Sequence, residues 1–368
     1  MRVVVLGYHG SVHTRRWAAH LAGEGHDLHV VTCGGHTEDA GRFAAPYSVH
    51  DLRAPRMKKA GYLAKLSPAR RTIRRLDPDV VHVHYATSYG LLGLASGVRP
   101  LIVTAHGDDL LVAPRNPVMG RLVSRVLRSA DLITVPGQHM KDAAEALLRG
   151  RTRPIQVFQY GVESSRLARL SAAVRQNERH ESAPVARPLR IVSVRPLLRP
   201  YRIDVLLDAV ALLIDRGVDC VCDVIGSGPE SRKLQRRAAE LGIDEAVTFR
   251  GQVPEQDVER ALASADVYVS VAETDGTSLA LLEALALGAV PVVSDIPANS
   301  QWVTHGLNGV VVEIAAESLA SGIEDATRLD REQIAEHNRE LVARAADRHT
   351  NLSAFEKSLH ELHAQAAG

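Results

Sequence analysis

Aromatic side chains are scarce in this chain, and neither sign of charge predominates. Only 4% of the 368 residues are aromatic, which excludes the stacking platform that proteins use to bind single-stranded nucleic acid. The 44 Lys and Arg residues are nearly balanced by 43 Asp and Glu, so the formal net charge is +1. A wholly basic nucleic-acid-binding protein is therefore excluded, and we expect no nucleic-acid partner.

Cysteine is also rare. The three residues Cys33, Cys220 and Cys222 are too few for a disulfide framework. Cys220 and Cys222 flank one residue of a predicted strand, so both should lie on one face as small core side chains, and a bridge between them would be strained. This usage favours a reducing, intracellular setting.

Long hydrophobic runs are missing as well. No uncharged stretch reaches the roughly 18 apolar residues that a membrane span needs. The apolar run 3–6 near the N-terminus is too short for a signal peptide and predicts a strand. We therefore expect a cytoplasmic protein, with peripheral attachment to the inner face of the membrane as an alternative.

Short apolar runs alternate with helical patterns along most of the chain, which predicts an α/β fold with parallel sheets. The alternation stops in the polar stretch 164–190 and then resumes. Two doubly wound, Rossmann-like domains that face each other across a cleft explain this pattern, because ligands bind at the carboxyl ends of such strands. The predicted division is an N-terminal domain (1–163), a linker (164–189), a C-terminal domain (190–345) and a last helix (346–368) that packs back on the first domain.

The most informative segment is AETDGTSLALLEALALGAVPVV, residues 272–293. Residues 275–278 end a strand and open a helix, whose free N–H groups form an anion site. That helix is apolar on all sides, ends at Gly288 and contains one charge, Glu283. A buried carboxylate needs hydrogen-bonding partners, and a ribose, a backbone amide or an arginine would each satisfy it.

The spacing of Asp275 and Glu283, followed by Ala-Leu-Ala-Leu-Gly-Ala-Val-Pro-Val-Val, resembles the signature of retaining glycosyltransferases of family 4, which have the GT-B fold. The resemblance implies that Asp275 contacts the donor sugar and that Glu283 contacts the nucleotide ribose. The first acid of the family is usually Glu, whereas this chain has an Asp-Gly-Thr-Ser variant, so the sugar preference is expected to differ. Glu273 is the other candidate for the first acid, but the spacing to Glu283 favours Asp275.

Further segments match the same family in order along the chain. They are 11–17, 25–30, 78–85, 224–229, 249–254 and 305–309. Gly161 matches a family hinge position. By this resemblance, His106 lies near the reacting carbon, and the acceptor binds to the N-terminal domain. The predicted catalytic residues are His106, Asp275 and Arg195; the predicted donor-binding residues are Gly10, Arg195, Arg199, Arg202, Gly226, Asp275, Gly276, Thr277, Ser278, Leu279 and Glu283.

The cations for the donor diphosphate are the main departure from the family pattern. The family has Gly-Arg and a Lys five residues after that Arg; aligned without gaps, these positions hold Pro196 and Tyr201 here. Arg195 is expected to supply the first cation. The second is either Arg199 or Arg202, since arginine also binds phosphate, in a bidentate manner.

Two other patterns are given little weight. His82 and His84 alternate on a strand as metal ligands can, but no matching Cys or carboxylate lies nearby in sequence, and the resemblance implies that no metal or other cofactor is required. The Gly226–Ser231 stretch lacks the third glycine of a dinucleotide fingerprint, which argues against a nicotinamide enzyme.

Charge is divided unequally between the two halves. Residues 1–163 have a net charge of +9 and residues 164–368 of −8, and the segment 53–75 has nine basic residues and no acid. This segment is a solvated helix face, a docking surface for an anionic membrane, or a recognition surface for a phosphorylated acceptor.

The resemblance implies a retaining transfer of a sugar from a UDP- or GDP-sugar to an acceptor hydroxyl, with an anionic or lipid-linked acceptor as one possibility. No residue is evident as a covalent nucleophile, so a same-face mechanism is expected. The alternatives are a sugar-nucleotide epimerase of the same architecture and a non-catalytic protein that binds nucleotide sugars.

Overall fold

A computed structural model of the chain describes residues 1–33, 45–52, 64–181 and 187–367, with the side chains at 177–181 and 367 left aside. The chain divides into two compact units. The N-terminal unit comprises Met1–Tyr160 together with Thr350–Gly368, and the C-terminal unit comprises Gly161–His349.

In the described ranges of the N-terminal unit, seven parallel strands form a sheet in the order β3-β2-β1-β4-β5-β6-β7. The strands are β1 (Arg2–Leu6), β2 (Asp27–Thr32), β3 (Ser48–Asp51), β4 (Val80–His84), β5 (Leu101–Thr104), β6 (Leu132–Val135) and β7 (Ile155–Val157). The helices are α1 (Val12–Gly23), α2 (Leu66–Leu76), α3 (Ser88–Ser96), α4 (Asp108–Leu111), α5 (Pro117–Ser129) and α6 (Gln138–Leu148).

The described C-terminal unit has six parallel strands in the order β10-β9-β8-β11-β12-β13. These are β8 (Leu189–Val194), β9 (Cys220–Ile225), β10 (Val247–Gly251), β11 (Val267–Ser270), β12 (Val290–Ser294) and β13 (Val310–Val312). Its helices are α7 (Ser164–Glu181), α8 (Ile203–Asp215), α9 (Ser231–Glu240), α10 (Glu255–Ser264), α11 (Leu279–Leu287), α12 (Pro297–Ser300), α13 (Ala316–Arg328) and α14 (Arg331–Ala345). The last helix of the chain is α15 (Arg348–Ala367).

Both sheets are doubly wound, so the predicted α/β class with two Rossmann-like domains is confirmed. The central strands are continuous apolar runs, as expected for parallel strands that helices cover on both faces. In each sheet the strand order reverses beside the first strand of the unit, between β1 and β4 and between β8 and β11. Ligands of such sheets bind where the order reverses, at the carboxyl ends of the strands.

The stretch 164–189, interpreted from the sequence as a linker, contains a long helix that belongs to the C-terminal unit. Leu167 of α7 is 1% exposed, and the Ser171 hydroxyl donates to the Leu287 carbonyl at 2.7 Å. The Arg175 guanidinium donates to the Gly288 carbonyl at 2.9 Å. Helix α7 is therefore polar over most of its surface, but one narrow face packs against α11.

The two cysteines of β9 are both buried, whereas Val221 between them is exposed, as their alternation predicts. Cys33, Cys220 and Cys222 are free thiols.

None of the helices in the described ranges combines the length and the hydropathy needed to cross a bilayer. Of the basic segment 53–75, residues 53–63 lie outside the described residues. The rest forms most of α2, which buries Ala69 and Ile73 and exposes four arginines. These are Arg70, Arg71, Arg74 and Arg75.

Candidate functional site

Arg195 follows β8 directly, at the carboxyl edge where the strand order of the C-terminal sheet reverses. Its side chain is 7% exposed. Nε and Nη2 donate to the Ser270 hydroxyl at 2.9 and 2.6 Å, and Nη1 donates to the Asp275 carboxylate at 2.6 Å. These bonds use three of the five N–H donors of a guanidinium and place Arg195 beside the loop that follows β11.

The ring of Tyr201 covers the same guanidinium, with the Arg195 Cζ atom 5.1 Å from the ring centroid. Burial by itself lowers the pKa of Arg195, but the neighbouring Tyr268 and Asp275 outweigh that effect and raise it above its ordinary value. Arg195 is therefore a fixed positive charge at the edge of the sheet. Tyr201, which occupies the position of the family's lysine, therefore packs its aromatic ring against the positive charge of Arg195.

The loop after β11 leads into α11 through the predicted Asp-Gly-Thr-Ser segment. One Asp275 oxygen accepts from the Gly276 N–H at 2.8 Å. Ser278 is the N-cap of α11, and its hydroxyl accepts from the Leu281 N–H at 3.1 Å. The Thr277 hydroxyl accepts from Gln301 at 3.1 Å. The segment thus places Asp275 against Arg195 and, four residues later, starts α11 at Leu279.

Glu283 lies one turn into α11, where every residue from Leu281 to Leu287 is buried. It is 8% exposed, as expected for the one charge of an apolar helix. Gly288 ends the helix with a φ of 84°, a left-handed conformation that favours glycine.

The two candidates for the second cation differ in their surroundings. Arg199 is exposed in a short 3₁₀ turn between β8 and α8. Arg202 contacts two carboxylates of its own unit, Asp204 at 3.1 Å and Glu273 at 3.4 Å. Glu273 is therefore an ion-pair partner of Arg202 rather than of Arg195.

Gly226 follows β9 and packs against the main chain of Arg195. A Cβ atom at this position would lie 2.0 Å from the Arg195 carbonyl oxygen, and the φ of Gly226 is 135°. The requirement for glycine here is therefore explained by close packing of two loops.

His106 and Gly10 belong to the N-terminal unit. His106 follows β5, and its Nε2 lies 3.0 Å from Nδ1 of His84 on the adjacent strand. The Tyr160 hydroxyl lies 2.9 Å from His106 Nδ1, and the Tyr85 ring stacks on the imidazole at 4.1 Å between centroids. His13 of α1 approaches the same ring at 5.5 Å.

Burial determines the protonation of this histidine cluster. It lowers the pKa of His82 to about 3, and it lowers the pKa of His84 and of His106 well below the ordinary value, with smaller contributions from the neighbouring histidines. It also raises the pKa of Tyr160 well above its ordinary value. His82, His84 and His106 are thus uncharged at neutral pH and offer hydrogen bonds rather than positive charge.

Asp109 fixes the backbone that carries His106. Its buried carboxylate accepts from the N–H groups of Ala86 at 2.7 Å and of His106 and Gly107 at 3.0 Å each. Gly10 lies in the loop before α1, and the Arg15 guanidinium donates to its carbonyl at 2.7 Å. A Cβ at Gly10 would meet the ring of Tyr8 at 2.5 Å.

Several residues of both sites were not predicted. The sequence feature that could have indicated Ser270 is its position, as a small polar residue at the end of an otherwise apolar strand. Tyr160 immediately precedes the predicted hinge glycine, and His13 lies within the matching segment 11–17, but neither fact indicates proximity to His106. The one feature that could have indicated Asp109 is its position three residues after His106, in the sequence His-Gly-Asp-Asp.

Two family models match the chain. The model described as "Glycosyl transferases group 1" matches residues 174–347, and the one described as "Glycosyl transferase 4-like" matches residues 2–136. Each therefore falls within one of the two units.

Curated relatives and solved structures agree with these matches. The chain is 23% identical over 304 residues to N-acetyl-alpha-D-glucosaminyl L-malate synthase of Bacillus anthracis, covering 80% of this chain and 77% of that protein. It is 26% identical over 323 residues to a GDP-mannose-dependent alpha-(1-6)-phosphatidylinositol dimannoside mannosyltransferase of Mycobacterium tuberculosis, covering 84% and 81%. Its fold is similar to that of Anabaena HepE in complex with UDP, with a TM-score of 0.78 and 18% identity over 98% of this chain and all of that one.

The matched segments cover most of both units, and the relatives that span about four fifths of the chain are enzymes that transfer sugars. The chain is a glycosyltransferase of the family 4 type, with the GT-B fold.

Proposed function

We propose that this enzyme transfers a sugar from a nucleoside-diphosphate sugar, with UDP or GDP as the nucleotide, to an acceptor hydroxyl with retention of configuration. The observation that carries the proposal is the buried Arg195 guanidinium, which Ser270 and Asp275 hold at the reversal point of the C-terminal sheet. A fixed cation at this edge is suited to a diphosphate, because dinucleotide and nucleotide ligands bind such sheets there.

In this proposal the developing charge of the leaving diphosphate meets Arg195 and the N-terminus of α11. The first N–H groups of a helix point outward and favour an anion. Removal of one such donor typically costs about 2.7–4 kcal/mol of transition-state stabilisation. We assign the second cation to Arg199, because it is exposed, whereas Arg202 already contacts Asp204 and Glu273.

The two acids of the signature have different roles in the proposal. Glu283 accepts hydrogen bonds from the ribose hydroxyls. Asp275 accepts from a donor-sugar hydroxyl while it remains bound to Arg195, which is chemically reasonable because each carboxylate oxygen has two acceptor sites. The Arg195–Asp275 contact at 2.6 Å would thereby couple the position of the sugar to that of the diphosphate.

His106 is assigned to the donor sugar, as a neutral hydrogen-bonding group. Burial keeps its pKa well below the ordinary value, so it does not compete with Arg195 for the negative charge. We propose no covalent nucleophile and no metal requirement; the leaving phosphate takes the proton of the acceptor hydroxyl on the same face.

The names of related proteins support the donor and acceptor classes. HepE has been solved with UDP-glucose, and the mycobacterial relative is named as a GDP-mannose-dependent phosphatidylinositol dimannoside mannosyltransferase. The exposed arginines of α2 fit an anionic or lipid-linked acceptor, or a peripheral membrane contact, at the N-terminal unit.

A thermal-shift screen of UDP, GDP and their common sugar conjugates tests the proposal. A ligand present at 100 times its dissociation constant stabilises the folded state by about 2.7 kcal/mol, which is readily measured. A raised melting temperature with one nucleotide series supports the proposal, and the absence of any shift with all of them contradicts it.

A further inference from the structure

The C-terminal helix and the N-terminal sheet contribute to a cluster of potential metal ligands that the proposed transfer reaction does not use. It consists of His26, which immediately precedes β2, and of Glu356 and His360, which lie one turn apart on α15. One donor atom from each lies within 4.8 Å of the others. All three residues belong to the N-terminal unit.

We infer that this cluster is a binding site for Zn²⁺ that ties α15 to the N-terminal unit. Two imidazoles and a carboxylate form a donor set that zinc binds in proteins, with a fourth position taken by water. When both imidazoles are neutral, the three ligands together have one negative charge, which compensates half of the charge of Zn²⁺.

The spacing of Glu356 and His360 fits two ligands of a tetrahedral ion. The distance between His360 Nε2 and Glu356 Oε1 is 3.4 Å, which is about the edge of a tetrahedron with zinc–ligand bonds of ~2.0–2.1 Å. His26 Nε2 contacts the same carboxylate oxygen. The ion would separate these donors by small side-chain rotations and replace the direct contact between His26 and Glu356.

The second carboxylate oxygen provides independent support. Within the described residues, Glu356 Oε2 is buried and has no hydrogen-bond partner, although buried polar atoms are normally paired. A metal ion shared by both oxygens, or by a bound water, would satisfy it.

Exposure varies in a way that suits a metal site at the surface. The side chains of His26 and Glu356 are 4% and 13% exposed, whereas that of His360 is 61% exposed. Two ligands are thus preorganised inside the interface, and the third closes over the ion from the solvent side. The helix is also docked by Phe355, which is fully buried and lies 4.1 Å from the Trp17 ring centroid to centroid, so the ligands are positioned without the ion.

The test uses the full chain after treatment with a chelator. The chelator-treated chain is incubated with ZnCl₂ and desalted, and the zinc that it retains is measured by mass spectrometry. The melting temperature of the chelator-treated chain is measured with and without ZnCl₂. We expect one zinc per chain and, with free zinc at 100 times its dissociation constant, a rise of about 5–10 °C for a unit of this size. MgCl₂ should give no such rise, since Mg²⁺ prefers oxygen ligands.

Variants distinguish this site from the other histidines of the chain. H360A and E356Q should lose both the bound zinc and the thermal shift, and H360A should fold normally because His360 is exposed. H363A, which removes another histidine from the same helix, should retain both. The inference is overturned if wild-type protein retains no zinc, if H360A and E356Q bind zinc like wild type, or if Mg²⁺ stabilises equally.

Discussion

Replacement of Arg195 by alanine should weaken the binding of UDP or GDP strongly. The guanidinium is 7% exposed and fixed by Ser270 and Asp275, so it pays little entropy when it contacts a phosphate. A hydrogen bond to a charged group contributes about 1.5–3 kcal/mol. The expected loss is therefore about 10- to 150-fold in the dissociation constant, measured by titration calorimetry.

The same substitution also leaves Asp275 without its cation, in a site where that carboxylate is 14% exposed. Loss of one partner of a buried pair destabilises the fold, so the melting temperature of R195A is measured in parallel. The double variant R195A/D275N removes both charges and should recover stability but not nucleotide affinity.

A surface arginine provides the matched control. Arg236 is exposed on α9, and R236A should bind the nucleotide within twofold of wild type. If R195A also binds within twofold of wild type while it remains folded, the assignment of Arg195 to the diphosphate is refuted.

Three further predictions concern the N-terminal unit. H106A should lower turnover while its affinity for free UDP or GDP stays within twofold of the wild-type affinity. Wild-type turnover between pH 6 and 8 should show no titration of His106, because the pKa of His106 is well below the ordinary value. A kinetic pKa near 6.5 in wild type that disappears in H106A would contradict this. Acid should destabilise the unit: His82 has a pKa of about 3 when folded and about 6.5 when unfolded, so the unfolded chain binds the extra proton and stability falls as the pH decreases from about 6.5 towards 3. Calorimetry should show that the stability of wild type falls more steeply with decreasing pH than the stability of H82N. Equal pH dependence of the two proteins would argue against this role of His82. Wild-type protein should float with anionic vesicles at low salt, and R70E/R71E/R74E/R75E should bind less; equal flotation of both proteins, or none by wild type, would exclude α2 as the membrane contact.

Much of the fold was predictable because its strands are short, continuous apolar runs separated by helical patterns. The apolar run 3–6 was predicted as a strand, and the observed strand, Arg2–Leu6, begins one residue earlier. The stretch that contains helix α7 was interpreted as a linker because its sequence is polar and mixed. The packed face of α7 is narrow: Leu167 is buried, and Leu170 and Val174 are partly buried against the same core.

The site was less predictable, because its contacts join residues far apart in sequence. The position of Arg195 at the end of a strand indicated a phosphate site, but nothing local indicated that Ser270 and Tyr201 would hold and cover its guanidinium. The surroundings of His106 come from an adjacent strand, the first helix and the end of the unit. Convergence of this kind depends on strand order, which the alternation of strands and helices leaves open.

The stereochemistry of transfer tests the central claim most directly. Proton NMR follows the reaction in D₂O with an α-configured UDP- or GDP-sugar that the thermal screen identifies and with an alcohol acceptor that supports turnover. The account predicts an α-glycoside as the first product, formed together with the free nucleoside diphosphate. A β-glycoside as the first product, or a changed sugar that remains attached to the nucleotide, would contradict retaining transfer.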